Sequence, residues 1–125
     1  MMALCLSAGT VSVTLFVHSF TLAWMHSVEK IRWEEQWRVE GNVLQLASAS
    51  VRGSGAGMEP PPDAIFKEGA WHYIPHVSPL QELRLTHSPF TKEYELCFDG
   101  RCTPINDFFL ALPEIDTIVL EACER

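Results

Sequence analysis

Trp33-Glu34-Glu35-Gln36-Trp37-Arg38-Val39-Glu40-Gly41-Asn42-Val43-Leu44-Gln45-Leu46-Ala47-Ser48 decides the fold. Apolar and polar residues alternate on both sides of Gly41-Asn42, and a period of two is a strand pattern, not a helical one. A two-residue connection with glycine first favours a type II′ turn, whose twist suits the strands it joins. That turn sets a register. Glu40 falls opposite Val43, Val39 opposite Leu44, Trp37 opposite Leu46, Glu35 opposite Ser48 and Trp33 opposite Ser50. Trp33, Trp37 and Val39 then share an apolar face with Leu44 and Leu46, as a fixed register requires. Glu34, Gln36, Arg38 and Glu40 make the solvated side.

Working outward, strands are expected near Ala3–Ser7, Val11–Val17, Phe20–His26, Trp33–Glu40 and Val43–Arg52. Beyond them come Trp71–Ile74, Glu82–His87, Tyr94–Phe98, Arg101–Ile105 and Thr117–Cys123. Asn106–Leu112 reads as a short helix with Asn106 as its cap and Pro113 beyond its end. About ten short strands and no long amphipathic helix predict an all-β domain, an antiparallel sandwich or barrel. There are no internal repeats. Gly53–Asp63 holds three Gly and three Pro, which neither a helix nor a central strand accommodates. It reads as an ordered loop inside a single domain spanning residues 1–125.

The chain has 125 residues, 47% of them hydrophobic and 20% charged, which is globular composition and excludes a disordered chain. Sixteen acids against nine bases give a net charge of −7. A nucleic-acid partner is therefore not expected, because phosphate binding needs a basic face. The first charged residue is Glu29. So long an uncharged run raises a membrane span or a signal peptide. No Lys or Arg precedes Lys30, and polar residues alternate with Val and Leu through Thr10–Phe16, which favours strands.

Four cysteines allow three pairings. Asp99-Gly100 is the favoured pair for a type I′ hairpin turn, which places Phe98 opposite Arg101 and Cys97 opposite Cys102. Cys97 and Cys102 then sit at a non-hydrogen-bonded pair, close enough for a disulfide in an oxidising compartment. Cys5 and Cys123 meet only if the two terminal strands are neighbours.

Glu35 lies on the apolar face between Trp33 and Trp37, and a buried carboxylate is costly unless paired. The register puts Arg52 on the same face of the next strand, and His26 ends the preceding strand on the face of Leu22 and Trp24. A His26–Glu35–Arg52 cluster at the end of the sheet follows. Its functional reading has Glu35 positioning His26 for proton transfer or ligation. Its simpler reading is an ionic network at the sheet edge. Glu29 with Glu35, Glu59 or Asp63 offers oxygen ligands for calcium, without EF-hand spacing to support it. Gly53-Ser54-Gly55-Ala56-Gly57 lacks the Gly-Lys-Ser/Thr ending of a P-loop and the spacing of a nucleophile elbow. Exposed amides there suit an anion, and a tight loop explains the glycines equally well. His18, His72, His76 and His87 have no metal-motif spacing, and the four tryptophans are most simply core. No catalytic residue, metal centre or cofactor is assigned.

Phe20–Lys30, Trp33-Glu34-Glu35-Gln36-Trp37, Gly53–Glu59, Trp71-His72-Tyr73 and Leu83–Leu85 together resemble the bacterial family called domain of unknown function 1850. His26, Ser27, Glu29, Glu35, Gly55, Gly57 and Glu59 match its motif positions, and with Arg52 they make the expected binding rim. The resemblance implies a non-enzymatic accessory or binding module of a bacterial TRAP-type solute transport system. It implies the transporter's membrane subunits as partners and a periplasmic or membrane-associated place. The alternative is a stand-alone β domain binding a metal or a small anion.

Overall fold

The hairpin at Gly41-Asn42 forms between β4 (Arg32–Glu40) and β5 (Val43–Val51), with Gly41 at φ +60°, the left-handed value that a II′ turn asks of its first residue. The computed structural model describes residues 1–25, 31–52, 61–87, 94–109, 112 and 116–125. Around the hairpin stand β1 (Met2–Ala8), β2 (Val11–Leu15), β3 (Ser19–Met25), β6 (Ile65–Lys67) and β7 (Ala70–Tyr73). The later strands are β8 (Glu82–His87), β9 (Glu95–Phe98), β10 (Arg101–Pro104) and β11 (Asp116–Glu124). They make two antiparallel sheets, ordered β2-β1-β11-β8 and β10-β9-β3-β4-β5-β7-β6. The architecture is an all-β sandwich. The uncharged N-terminal run is β1, β2 and β3, and among the described residues no helix is long and apolar enough to cross a membrane.

The core lies between the sheets. Leu4 and Leu6 of β1, Ile118 and Leu120 of β11, and Leu85 of β8 come from the smaller sheet. Phe20 and Leu22 of β3, Trp37 and Val39 of β4, Leu44 and Leu46 of β5, and Leu96 of β9 meet them from the larger. Each set alternates along its strand, as a sheet with one buried face requires.

Three expectations change. The register of the central hairpin holds from Glu40–Val43 to Trp37–Leu46, then slips by one residue. Leu46 and Ser48 oppose Trp37 and Gln36, so Ala47 is an extra residue, a β-bulge. Beyond it Glu35 faces Ala49 and Trp33 faces Val51, not Ser48 and Ser50. The bulge inverts the alternation of β5, turning Ala49 and Val51 inward and Ser48, Ser50 and Arg52 outward. Ser48 Oγ instead donates to Gln36 Oε1 at 2.7 Å on the outer side. Second, the helix expected at Asn106–Leu112 is a single 3₁₀ turn, Ile105–Phe108, with no side-chain cap. Asn106 lies inside that turn, where it does not serve as a cap. Third, β6 was not foreseen. It pairs with β7 through a turn at Glu68 (φ +54°) and Gly69 (φ +79°), and Glu-Gly is a weaker turn signal than Asn-Gly or Asp-Gly.

Both cysteine pairs are bonded. β1 and β11 are antiparallel neighbours, and Cys5 joins Cys123 across their Cα separation of 5.9 Å. Cys97 and Cys102 face each other across the β9–β10 hairpin, whose turn residues Asp99 and Gly100 both have positive φ, as type I′ demands. The two staples differ in the chain they enclose, 118 residues against 5. Loop-closure entropy assigns the longer about 5 kcal/mol and the shorter about 2 kcal/mol. Replacing Cys5 and Cys123 by alanine is therefore expected to lower the free energy of unfolding in guanidinium by more than twice as much as replacing Cys97 and Cys102. An equal loss from both pairs would show that chain entropy is not what the first staple supplies.

Candidate functional site

Antiparallel pairing lines up side chains in rows across a sheet, and two rows on the inner face of the larger sheet build the site. The first runs Leu96, Leu22, Glu35, Ala49, Tyr73, through β9, β3, β4, β5 and β7. The second, two residues further along each strand, runs Trp24, Trp33, Val51, Trp71, Phe66, through β3, β4, β5, β7 and β6. Tyr94, one residue before β9, closes this second row beside Trp24. A carboxylate thus stands in an otherwise apolar row, next to a row made almost wholly of aromatic rings.

The rings meet in two groups, one on either side of Val51. Trp24 and Trp33 stack with centroids 6.1 Å apart and planes 8° from parallel. Tyr94 tilts against Trp24 at 5.7 Å, and Phe66 against Trp71 at 5.1 Å. Such offset and tilted pairs suit the quadrupoles of the rings. Trp24, Trp33, Tyr73, Tyr94 and Glu35 are each half-buried, so the face is reachable from solvent while much of each side chain is covered. The tryptophans expected as core divide accordingly. Trp37 is buried among the leucines, and Trp24, Trp33 and Trp71 are half-buried.

Glu35 accepts one hydrogen bond among the described residues, from Trp37 Nε1 at 3.2 Å. Burial pushes its carboxyl above the ordinary glutamate value, and the indole donor opposes this less strongly. The charge is felt nearby. Burial first, and then the Glu35 carboxylate, hold the phenols of Tyr73 and Tyr94 above the ordinary tyrosine value. The Trp33 Nε1–H is buried and finds no acceptor among the described residues.

Arg52 does not join this group. The bulge places it on the outer face, where it is exposed and its Nη1 donates to the Glu68 carbonyl at 3.3 Å. His26, Ser27, Glu29, Gly55, Gly57 and Glu59, and most of the loop expected at 53–63, lie outside the described residues. The expected rim is therefore represented by Glu35 on the inner face and Arg52 on the outer one. Among the described residues, no three His, Cys, Asp or Glu side chains are grouped to hold a metal ion. The outer face carries the paired charges. Arg32 bridges Glu34 (2.9 Å) and Glu95 (2.7 Å), and Arg38 pairs with Glu40 at 2.6 Å. The Glu95 hydrogen bond is the main reason that the Arg32 guanidinium is held even more firmly protonated than usual.

Sequence reasoning found Glu35 and missed its aromatic surroundings. Tyr73 had a signal: in Trp71-His72-Tyr73 the alternation puts both rings on one face. Tyr94 had a weaker one, since only the pairing of β9 with β3 brings it to Trp24.

A family model described as Domain of unknown function (DUF1850) matches residues 20–105, which is more than half of the chain. The chain belongs to that family. No curated protein and no solved structure matches it.

Two outcomes follow from the electrostatics of Glu35. Its folded-state pKa is raised, so its contribution to stability is fully present below the ordinary glutamate range and is lost as pH rises through the folded value. Glu35→Gln keeps an acceptor for Trp37 and cannot ionise. The variant is expected to be more stable than wild type at neutral pH, with the difference vanishing in acid, in denaturant titrations across that range. A variant less stable than wild type at neutral pH would mean that the ionised carboxylate is stabilised in the fold. The same substitution is expected to lower the phenol pKa of Tyr73 and Tyr94, read by ultraviolet absorbance in alkali, without bringing either to its ordinary value, because burial remains.

Proposed function

We propose that this domain is a non-enzymatic binding module that serves a bacterial TRAP-type solute transport system. The observation that carries the binding part is the half-buried Glu35 carboxylate set into the aromatic end of the inner face. A charge held in such surroundings costs stability, and a fold retains that cost more readily where the group meets a partner. The chemistry beside it is that of recognition. Aromatic rings give contact area and orientation, and one charge gives selectivity.

The transport part of the reading rests on the family resemblance, which implies the transporter's membrane subunits as partners. The net charge of −7 agrees with a partner surface that carries basic residues. Tagged protein, mixed with gently solubilised membranes of its native cells, is expected to recover TRAP membrane subunits at low salt and to lose them as ionic strength rises. Enrichment no greater than that of an unrelated acidic β-sandwich of the same size would sink the transport reading.

A further inference from the structure

Among the described residues, Glu35 is a half-buried carboxylate on an aromatic face with no cation beside it. Arg32 is taken by Glu34 and Glu95, Arg38 by Glu40, Arg84 by Glu82, and the amino terminus by Glu124. Arg52, which an unbulged register would have put on the same face as Glu35, is turned to the other side of the sheet and spends its guanidinium on a backbone carbonyl. Glu35 itself has only a neutral indole donor among the described residues. In its row, Ala49 alone stands between Glu35 and Tyr73, so no large side chain separates the carboxylate from that phenol ring. In the next row Trp24 and Trp33 lie parallel, with Tyr94 tilted against Trp24.

We propose that this end of the inner face, built from Glu35, Trp24, Trp33, Tyr73 and Tyr94, binds a small organic ammonium ion. The inference deepens the binding reading and rests on it, while needing nothing from the transporter. Four classes of ligand compete, and the residues separate them. An anion would meet the Glu35 carboxylate and a chain of net charge −7. A hard cation such as calcium needs six or more oxygen ligands, and the described residues of this face offer one carboxylate among indole and phenol rings. A neutral ring such as a sugar would stack on the tryptophans and leave the carboxylate without a partner. An alkylammonium ion satisfies both halves of the site. Its charge pairs with Glu35, and its methyl or methylene groups lie against ring faces whose quadrupoles attract cations within about 6 Å of the centroid. Its dehydration is also cheap compared with that of a metal ion, which a half-buried apolar site demands.

The probe is tetramethylammonium chloride, titrated into the intact protein at constant ionic strength held by sodium chloride. The indole N–H resonances of the tryptophans are followed by nuclear magnetic resonance. Saturable shifts of the Trp24 and Trp33 resonances are expected, with little response from buried Trp37. Glu35→Gln should weaken binding about tenfold, the scale of losing one charged partner. The uncharged tert-butanol, of nearly the same shape, should produce no saturable shift. Wild type carries a second check that needs no variant. Its affinity should fall as pH is lowered through the protonation of Glu35, since Tyr73 and Tyr94, the other titratable groups of the site among the described residues, do not change charge in acid. Absence of saturable shifts, equal response to tert-butanol, or affinity indifferent to both Glu35→Gln and acid would overturn the proposal. None of these results bears on whether transporter subunits are recovered from membranes, so the two readings fail separately.

Discussion

The pairing of β4 with β5 and the extra residue at Ala47 set everything that makes this domain distinctive. From the turn to Leu46 the two strands supply core, with Val39, Trp37, Leu44 and Leu46 facing the smaller sheet. Past the bulge the same inner face continues with different partners, Ala49 and Val51 beside Glu35 and Trp33. Without the extra residue, Ser48, Ser50 and Arg52 would have faced inward, which would have put a cation on the same face as Glu35. One residue of slip takes the cation off the face and leaves Glu35, among the described residues, with only a neutral donor. Bulges are known for re-aiming side chains near functional sites, and here the effect is to remove a counter-ion.

Most of the fold was legible because alternation and turn chemistry agreed. Gly41-Asn42 and Asp99-Gly100 both specify two-residue turns, and each fixed the register next to it, including Phe98 opposite Arg101 and Cys97 opposite Cys102. The bulge was not legible, because Ala47 is apolar and small and its segment, Leu46-Ala47-Ser48-Ala49-Ser50-Val51, alternates acceptably in either phase. β-Strand β6 escaped for a similar reason: three exposed residues give no face to detect. The short helix at Asn106 was overestimated because a cap residue and a following proline mark a possible start and stop without supplying the turns between. At the site, Glu35 was found by asking which polar residue sat on an apolar face. Its neighbours required knowing that β7 pairs with β5 and β9 with β3, which are contacts between distant parts of the chain.

The two faces of the larger sheet treat charge in opposite ways. On the outer face, carboxylates and guanidiniums are interleaved, and Arg32 spans Glu34 and Glu95 over the intervening strand. Exposed pairs of this kind add little stability, but they leave few charges unneutralised near that surface. On the inner face the carboxylate is alone, partly dry, and raised in pKa by its burial. A cation drawn by the overall charge of −7 finds at Glu35 a carboxylate that no described cation compensates, unlike the paired acids outside.

A site of this kind is useful only if its walls hold still, because ordering loose rings on binding would cancel much of the contact free energy. The sandwich fixes each wall by a different device. Trp24 and Trp33 are directly opposite each other on β3 and β4, so the strand pairing itself holds the stack. Tyr73 is carried by β7, which is paired on both sides, to β5 and to β6. Tyr94 lies outside any strand and would be the loosest of the set. Its carbonyl accepts from the Ile105 N–H at 2.8 Å, which ties it to the residue leaving β10. The Cys97–Cys102 bond then locks β9 to β10 a short way along the same hairpin. That staple encloses few residues and contributes less than half as much to global stability as the Cys5–Cys123 bond. Its larger effect is local: it keeps the β9–β10 pair from fraying, and through the Ile105–Tyr94 hydrogen bond it holds the tyrosine against Trp24.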